Sequence, residues 1–166
     1  MSSEEAFLRR AFELARSAVA HGNHPFGAVL VLDGHIVAEA ENNVTTERDP
    51  TGHAETNLIR VAGKRLSKED LARSVVYTST EPCIMCCGAI YWAGVREFVY
   101  GFPETGLRDL VEDKESRSAP SLLTPCRELL GSRGVLERFK IRGPLLEDEA
   151  RAVHGDFWEP FRGKTE

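Results

Sequence analysis

The chain of 166 residues contains no apolar run approaching the ~20 residues that a membrane-spanning helix needs. It also lacks a basic-then-apolar leader, since MSSEEAFLRR places acids where a signal peptide carries basic residues. These two absences make a cytoplasmic protein with no membrane partner the expectation. A surplus of positive charge is missing as well, the formal net charge being −5. A dedicated nucleic-acid binder usually shows a basic face, so nucleic acid is not an expected partner. Cysteine is scarce, and Cys83, Cys86 and Cys87 lie too close together to staple distant segments. That argues against a disulfide framework; in a reducing compartment such a cluster points to metal or redox chemistry. With no internal repeat, no low-complexity tract and no sign of a second domain, residues 1–166 read as one domain with enough interior for a core.

What is present is periodic. Ser2 and Glu5 fit a capping box. Phe7, Leu8, Ala11, Phe12, Ala15, Ala18 and Val19 then form an apolar stripe at helical spacing, closed by His21-Gly22. PFGAVLVLDGHIVAEAENN offers two apolar runs joined by Asp33-Gly34, a dipeptide favoured in tight hairpins. A helix is expected from about His53 to Ala62, ended by Gly63. Ser67 caps a short turn before the strand SVVYTST, where Val75, Val76 and Tyr77 lack alternation, as in a strand buried on both faces. EPCIMCCGAIYWAG reads as a helix with Pro82 in its first turn and Gly94 at its end. REFVYGF is the next strand, residues 103–120 read as a long polar loop, and PCRELLGSRG as a helix. VLERFKIRG is a strand, and a last helix starts at about Leu145. A hairpin followed by alternating helices and strands predicts the α/β class: a three-layer α/β/α sandwich around a five-stranded mixed sheet, its later strands parallel.

The chemistry sits in two short stretches. In EPCIMCCGAI, Cys83 and Cys86 are one helical turn apart at a helix start, where the positive end of the helix helps keep thiolates ionised. In GHAETNLIR, His53 adds an imidazole at another helix entrance. Three such ligands with a fourth position open is the pattern of catalytic zinc, and no second Cys-x-x-Cys exists for a four-cysteine structural knot. Glu55, two residues past His53 and across Ala54, can face a water held by that metal without binding the metal itself. Zinc brings the pKa of such a water to about 7, and the carboxylate can carry its protons. The bland alternatives are a histidine that caps a helix, a glutamate that favours its dipole, and a redox cysteine pair. Cys87, displaced around the helix, and Cys126 read as buried thiols. His24 is expected to face solvent.

The pairing HAE followed by PCIMC matches the zinc-dependent base deaminase signature. With PFGAVLVLDG, ENNVTTERDPTGHAE, YTSTEPCIMC and GAIYWA, the chain resembles the cytidine-deaminase-like superfamily, and within it the bacterial guanine deaminases. The resemblance implies one Zn2+ per chain on His53, Cys83 and Cys86, with Glu55 as proton shuttle. It implies Asn42 as the amide that recognises a base, Phe26 and Trp92 as pocket lining beside Ala54, and a homodimer. Asn42 reads equally as turn chemistry, and Phe26 as core. The small-molecule substrate implied is a free nucleobase: guanine, which would lose ammonia at C2 to give xanthine, or cytosine, which would give uracil. Cytosine stays open because VLERFKIRGPLLEDEARAVHGDFW resembles the end of fungal-type cytosine deaminases. Residues 144–166 then form a C-terminal lid. Phe157, Trp158 and Phe161 would cover the base, and Asp156 or Glu159 would accept its N–H bonds, Glu159 being the better placed beside Trp158. Plain core packing of Leu146, Ala150, Val153 and Phe157 is the alternative. A tRNA adenosine deaminase shares both motifs, but the basic run Arg127, Arg133, Arg138, Lys140 and Arg142 is interrupted by Glu128 and Glu137. A zinc-binding module without activity leaves Glu55 no role.

Overall fold

The first hairpin forms around Asp33-Gly34. In the computed structural model, which describes residues 3–111, 124–131 and 134–161, β1 (Gly27–Leu32) turns into β2 (His35–Glu41). Asp33 at φ +50° and Gly34 at φ +80° supply the two successive positive φ values of a type I′ turn. β1 pairs antiparallel with β2 on one side and with β3 (Val75–Thr80) on the other. β3, β4 (Glu97–Phe102) and β5 (Lys140–Arg142) run parallel, so the described sheet has the order β2-β1-β3-β4-β5. The expected mixed, five-stranded α/β architecture is present. Among the described residues no helix is long and apolar enough to cross a membrane.

Two apolar clusters cover the two faces of the sheet. Past the one-turn helix α2 (Val44–Glu47), one gathers α3 (Ala54–Ala62), α4 (Lys68–Arg73), α5 (Ile84–Ala93) and α7 (Cys126–Gly131) around Leu58, Val76, Ile90 and Phe98. The other gathers α1 (Ser3–Ala20), α6 (Glu104–Val111) and α8 (Glu147–His154) around Phe12, Val29, Val99 and Phe102. Each large side chain taken fully out of water contributes about 1.5–3 kcal/mol. The α1 stripe buries Leu8, Ala11, Phe12, Ala15 and Ala18, while Val19 stays exposed. Helix α1 lies so close to β1 that a Cβ on Gly27 would stand 2.4 Å from the Ala11 carbonyl oxygen. Only glycine permits that approach.

Three local expectations change. Residues 104–111 form α6 rather than loop, because Leu107 and Val111, one turn apart, bury against Phe102 despite the polar residues between them. Residues 112–120 of the expected loop lie outside the described residues, as does Ser2 of the capping box. Pro82 precedes α5 instead of entering its first turn, since Cys83 takes the N-cap position. The strand read in VLERFKIRG shrinks to Lys140–Arg142, preceded by a 3-10 turn at Leu136–Arg138.

Candidate functional site

Two helix entrances meet where β3 ends. His53 is the N-cap of α3 and Cys83 the N-cap of α5, both in extended backbone and neither spending its side chain on the cap. One turn into α5, Cys86 is fully buried. The two sulfurs each stand 3.6 Å from His53 Nδ1, and the three ligand atoms lie within 4.8 Å of one another. Ligand bonds of about 2.0–2.3 Å at tetrahedral angles separate neighbouring ligand atoms by about 3.6 Å, so this donor set fits zinc. The Cys83 thiol is pushed down to about 4, chiefly by its hydrogen bond with Cys86 and against the effect of burial. The hydrogen bond with Cys83 raises the His53 pKa. Thiolate character at the entrance of a helix is what metal ligation needs.

Glu55 stands beside this cluster in the first turn of α3, only 5% exposed. Its Oε1 accepts a hydrogen bond from the Thr78 hydroxyl at 2.9 Å, and its Oε2 lies 3.4 Å from the Cys86 sulfur. Burial first, then the negative charge of Cys83, raises its pKa above the ordinary carboxyl range. A carboxyl raised in this way holds a proton more readily than an exposed one, which suits a group that must both take and give one. Ala54, between His53 and Glu55, is fully buried in the core.

A cavity of about 200 Å³ opens at the cluster, lined by His53, Glu55, Cys83, Phe26, Trp158 and His24, together with Thr80, Glu81, Glu104, Leu107 and Val111. Phe26 and Trp158 are both part of this lining. His24 does not face solvent as expected: it lines the cavity, its ring 5.7 Å from that of Trp158, and burial followed by the nearby His53 charge lowers its pKa. Asn42 is 1% exposed and is not part of the cavity lining. Its Oδ1 accepts from the backbone N–H groups of His24 and Val44, the turn chemistry, while its Nδ2 is buried with no hydrogen-bond partner. Asn43 is spent locally, its Oδ1 accepting from Asn57 Nδ2 at 2.8 Å.

Trp92 lies outside the cavity lining, 85% exposed. The reason is helical geometry: six residues past Cys86, it is rotated by about 240° to the opposite side of α5. Asp156 and Glu159 are exposed and outside the cavity too, because the turn after α8 directs Trp158 inward and its acidic neighbours to water. The Phe161 side chain lies outside the described residues. Cys87 and Cys126 are buried thiols whose pKa values burial pushes up, as expected.

Glu81 and Glu104 were not singled out by sequence reasoning, although Glu81 stands beside the cysteine motif. Glu81 is buried, its Oε1 accepting from the Cys126 N–H at 2.7 Å and its Oε2 from the Glu104 N–H at 2.9 Å. Glu104 and Cys126 are the first residues of α6 and α7. One carboxylate thus serves two helix entrances, where backbone donors and the helix dipole favour negative charge.

Comparison with known proteins gives a consistent picture. Residues 1–102 match the cytidine and deoxycytidylate deaminase zinc-binding region. The probable cytosine deaminase of Schizosaccharomyces pombe is 36% identical over 157 residues, covering 95% of this chain and 93% of that one. The guanine deaminase of Bacillus subtilis is 51% identical over 104 residues, covering 62% of this chain and 67% of that one. Among solved structures, a tRNA:A34 deaminase superposes with a TM-score of 0.71 at 30% identity, covering 90% of this chain and 99% of that one.

His154, at the end of α8, is 2% exposed, and its pKa is lowered to about 4 by burial and, less, by the charge of Arg151. An unfolded histidine takes its proton near pH 6.5, so between about pH 6.5 and 4 the native chain binds fewer protons than the unfolded one. Stability must therefore fall as the pH drops through that window. Between about pH 7 and 4 the wild type is expected to lose about 3 kcal/mol more unfolding free energy than His154→Phe, measured by denaturant titration. Equal losses would show that His154 is not the group responsible.

Proposed function

We propose that this chain, which belongs to the cytidine and deoxycytidylate deaminase zinc-binding family, removes the amino group of a free nucleobase by hydrolysis. The observation that carries this reading is the cavity itself, which has Glu55, His53 and Cys83 in its lining, with buried Cys86 behind them, and the chain's own Trp158 as a further part of that lining. A flat, apolar-faced ring suits such a site. A nucleotide held in an RNA would need room for its sugar and phosphates. Zinc on His53, Cys83 and Cys86 supplies Lewis acidity, making water a nucleophile at neutral pH.

The protein's own groups do the rest. Water attacks the ring carbon that bears the amino group. Glu55 takes a proton from that water and gives it to the adjacent ring nitrogen. It then carries the second proton to the amino group, so that a C=O forms, the C–N bond breaks and ammonia leaves. Thr78 holds Glu55 in place through its hydroxyl. The unspent Nδ2 of Asn42 donates to an acceptor on the base, and Phe26 and Trp158 receive its faces. Guanine is the first substrate, supported by the 51% identity to a guanine deaminase. Cytosine is the second, favoured by the nearly end-to-end similarity to a probable cytosine deaminase, which takes in the C-terminal part. Thiolate ligation suits a cytoplasmic, reducing setting.

The same chain assembles as a homodimer. Helix α5 is apolar on every side, yet Ile84, Tyr91 and Trp92 on its outer side remain accessible. A helix apolar all round belongs in an interior. Light scattering should give about twice 18.4 kDa, and a mass of one chain across a concentration range would count against the dimer.

Two further measurements test the reaction. His53→Ala and Cys83→Ala should lose the metal by elemental analysis. Glu55→Ala should keep one zinc and lose ~10²–10⁴-fold in turnover; near-normal activity in that variant would remove Glu55 from the mechanism. Ammonia release should then be assayed with guanine, cytosine, adenine, a triazine, their nucleosides where these exist, and a tRNA anticodon stem-loop. Guanine is expected to react fastest. Cytosine alone would move the substrate to the second reading, and activity on RNA alone would overturn the free-base reading.

A further inference from the structure

We propose that His154 is a positioning residue that latches the indole of Trp158 to the end of β3, fixing the aromatic cover of the cavity; the inference rests on reading that cavity as the base site. Trp158 Nε1 lies 3.1 Å from His154 Nδ1. An indole N–H only donates, so Nδ1 must carry the lone pair. A neutral imidazole then bears its hydrogen on Nε2, and that nitrogen lies 3.2 Å from the Thr80 hydroxyl oxygen. The ring thus accepts from the tail with one nitrogen and donates to the last residue of β3 with the other.

The surroundings hold the ring in that orientation. His154 is buried, with the Phe26 ring at 5.7 Å and the Phe102 ring at 5.1 Å. Trp158 and Thr80 both line the cavity, whereas His154 does not. The imidazole therefore acts through its two neighbours and not on a bound molecule. Burying an imidazole for packing alone is unfavourable, since phenylalanine or leucine would fill such a space without a desolvation cost. Two complementary hydrogen bonds offset that cost and give the polar ring a purpose.

The chain path makes the latch necessary. Helix α8 stops at His154, and Gly155, at φ +44°, turns the chain. Beyond that turn Trp158 stands just ahead of a short 3-10 turn at Glu159–Phe161, in a segment exposed at Asp156 and Glu159. Such a segment has little backbone structure of its own to fix an indole plane. The hydrogen bond back to His154, with the Phe157 ring at 4.9 Å and the His24 ring at 5.7 Å, sets that plane before a base arrives. An ordered cover spares the base the entropic cost of ordering it, so the latch should act on binding more than on the chemical step.

The test uses the full-length, zinc-loaded protein. Hydrogen exchange at the Trp158 indole N–H, followed by NMR, should be much slower in the wild type than that of free N-acetyltryptophanamide. In His154→Phe the Trp158 indole should exchange nearly as fast as that free indole. KM for the preferred base should rise about three- to ten-fold, the range of one lost hydrogen bond, with kcat within about two-fold. His154→Gln, whose amide can accept from the indole and donate to Thr80, should restore both readouts toward wild type. Slow exchange persisting in His154→Phe, or equal KM values in the Phe and Gln variants, would overturn the latch. Should His154→Phe fail to fold, the ring ¹⁵N shifts of wild-type His154 decide: the Nε2–H tautomer supports the latch and the Nδ1–H tautomer overturns it. Exchange and tautomer are read without turnover, so a protein inactive on every base would defeat the proposed function while these two readouts still uphold or overturn the latch.

Discussion

The buried carboxylate of Glu81 is the interaction on which the arrangement of the site depends. It stands between Thr80, the last residue of β3, and the cysteine motif, with its own N–H bonded to the Phe102 carbonyl at the end of β4. Its two oxygens accept from the first residues of α6 and α7. Charge-assisted bonds to backbone donors are among the stronger ones available to a protein, and here both lie out of water. Through them the start of the ligand loop, the ends of two parallel strands and two later helices share one anchor. The entrance of α5, and so the position of Cys83, is tied to the parts of the chain that close the cavity. Leu107 and Val111 reach the cavity lining because α6 begins at this carboxylate.

Glu55 is the same side chain in a different setting. Glu81 has a backbone N–H for each oxygen. The Glu55 carboxylate has one hydroxyl donor and a nearby sulfur, and burial raises its pKa. At Glu55 the cost of burial outweighs the bonds that its carboxyl accepts. The two glutamates are 26 positions apart, near the starts of α3 and α5, and both line the cavity.

The cover over that cavity is aromatic and not acidic. Phe26 from the approach to β1, His24 before it and Trp158 from the tail come together around the ligand cluster, and His154 links the last of these to β3. The acids flanking Trp158 face water. The cavity thus combines ring faces with a few carboxyl groups, a division between apolar surface and few polar groups that is usual in small-molecule sites.

Local spacing determined a good deal of this. The Asp33-Gly34 turn, the α1 stripe, the buried β3 run and the cysteine pair at a helix entrance all depend on residues within a few positions of one another, where periodicity and turn chemistry act directly. The juxtaposition of His53 with Cys83 and Cys86 was legible because the motif pair implies it, and the three atoms do converge. Other features depended on rotation and on distance in space. Trp92 went to the far side of α5 because six residues of helix carry it there. Helix α6 formed from a segment that looks polar, because a surface for Leu107 and Val111 exists only once β4 is in place. His24 was drawn into the cavity by aromatic rings from the far end of the chain, and Glu81 found its partners 23 and 45 positions away. The sequence alone determined the ligand cluster, the glutamate beside it and the layered fold, since those are written in short-range spacing. Only the tertiary structure decided which side chains enclose the cavity, because enclosure is made by contacts between segments that no local pattern records.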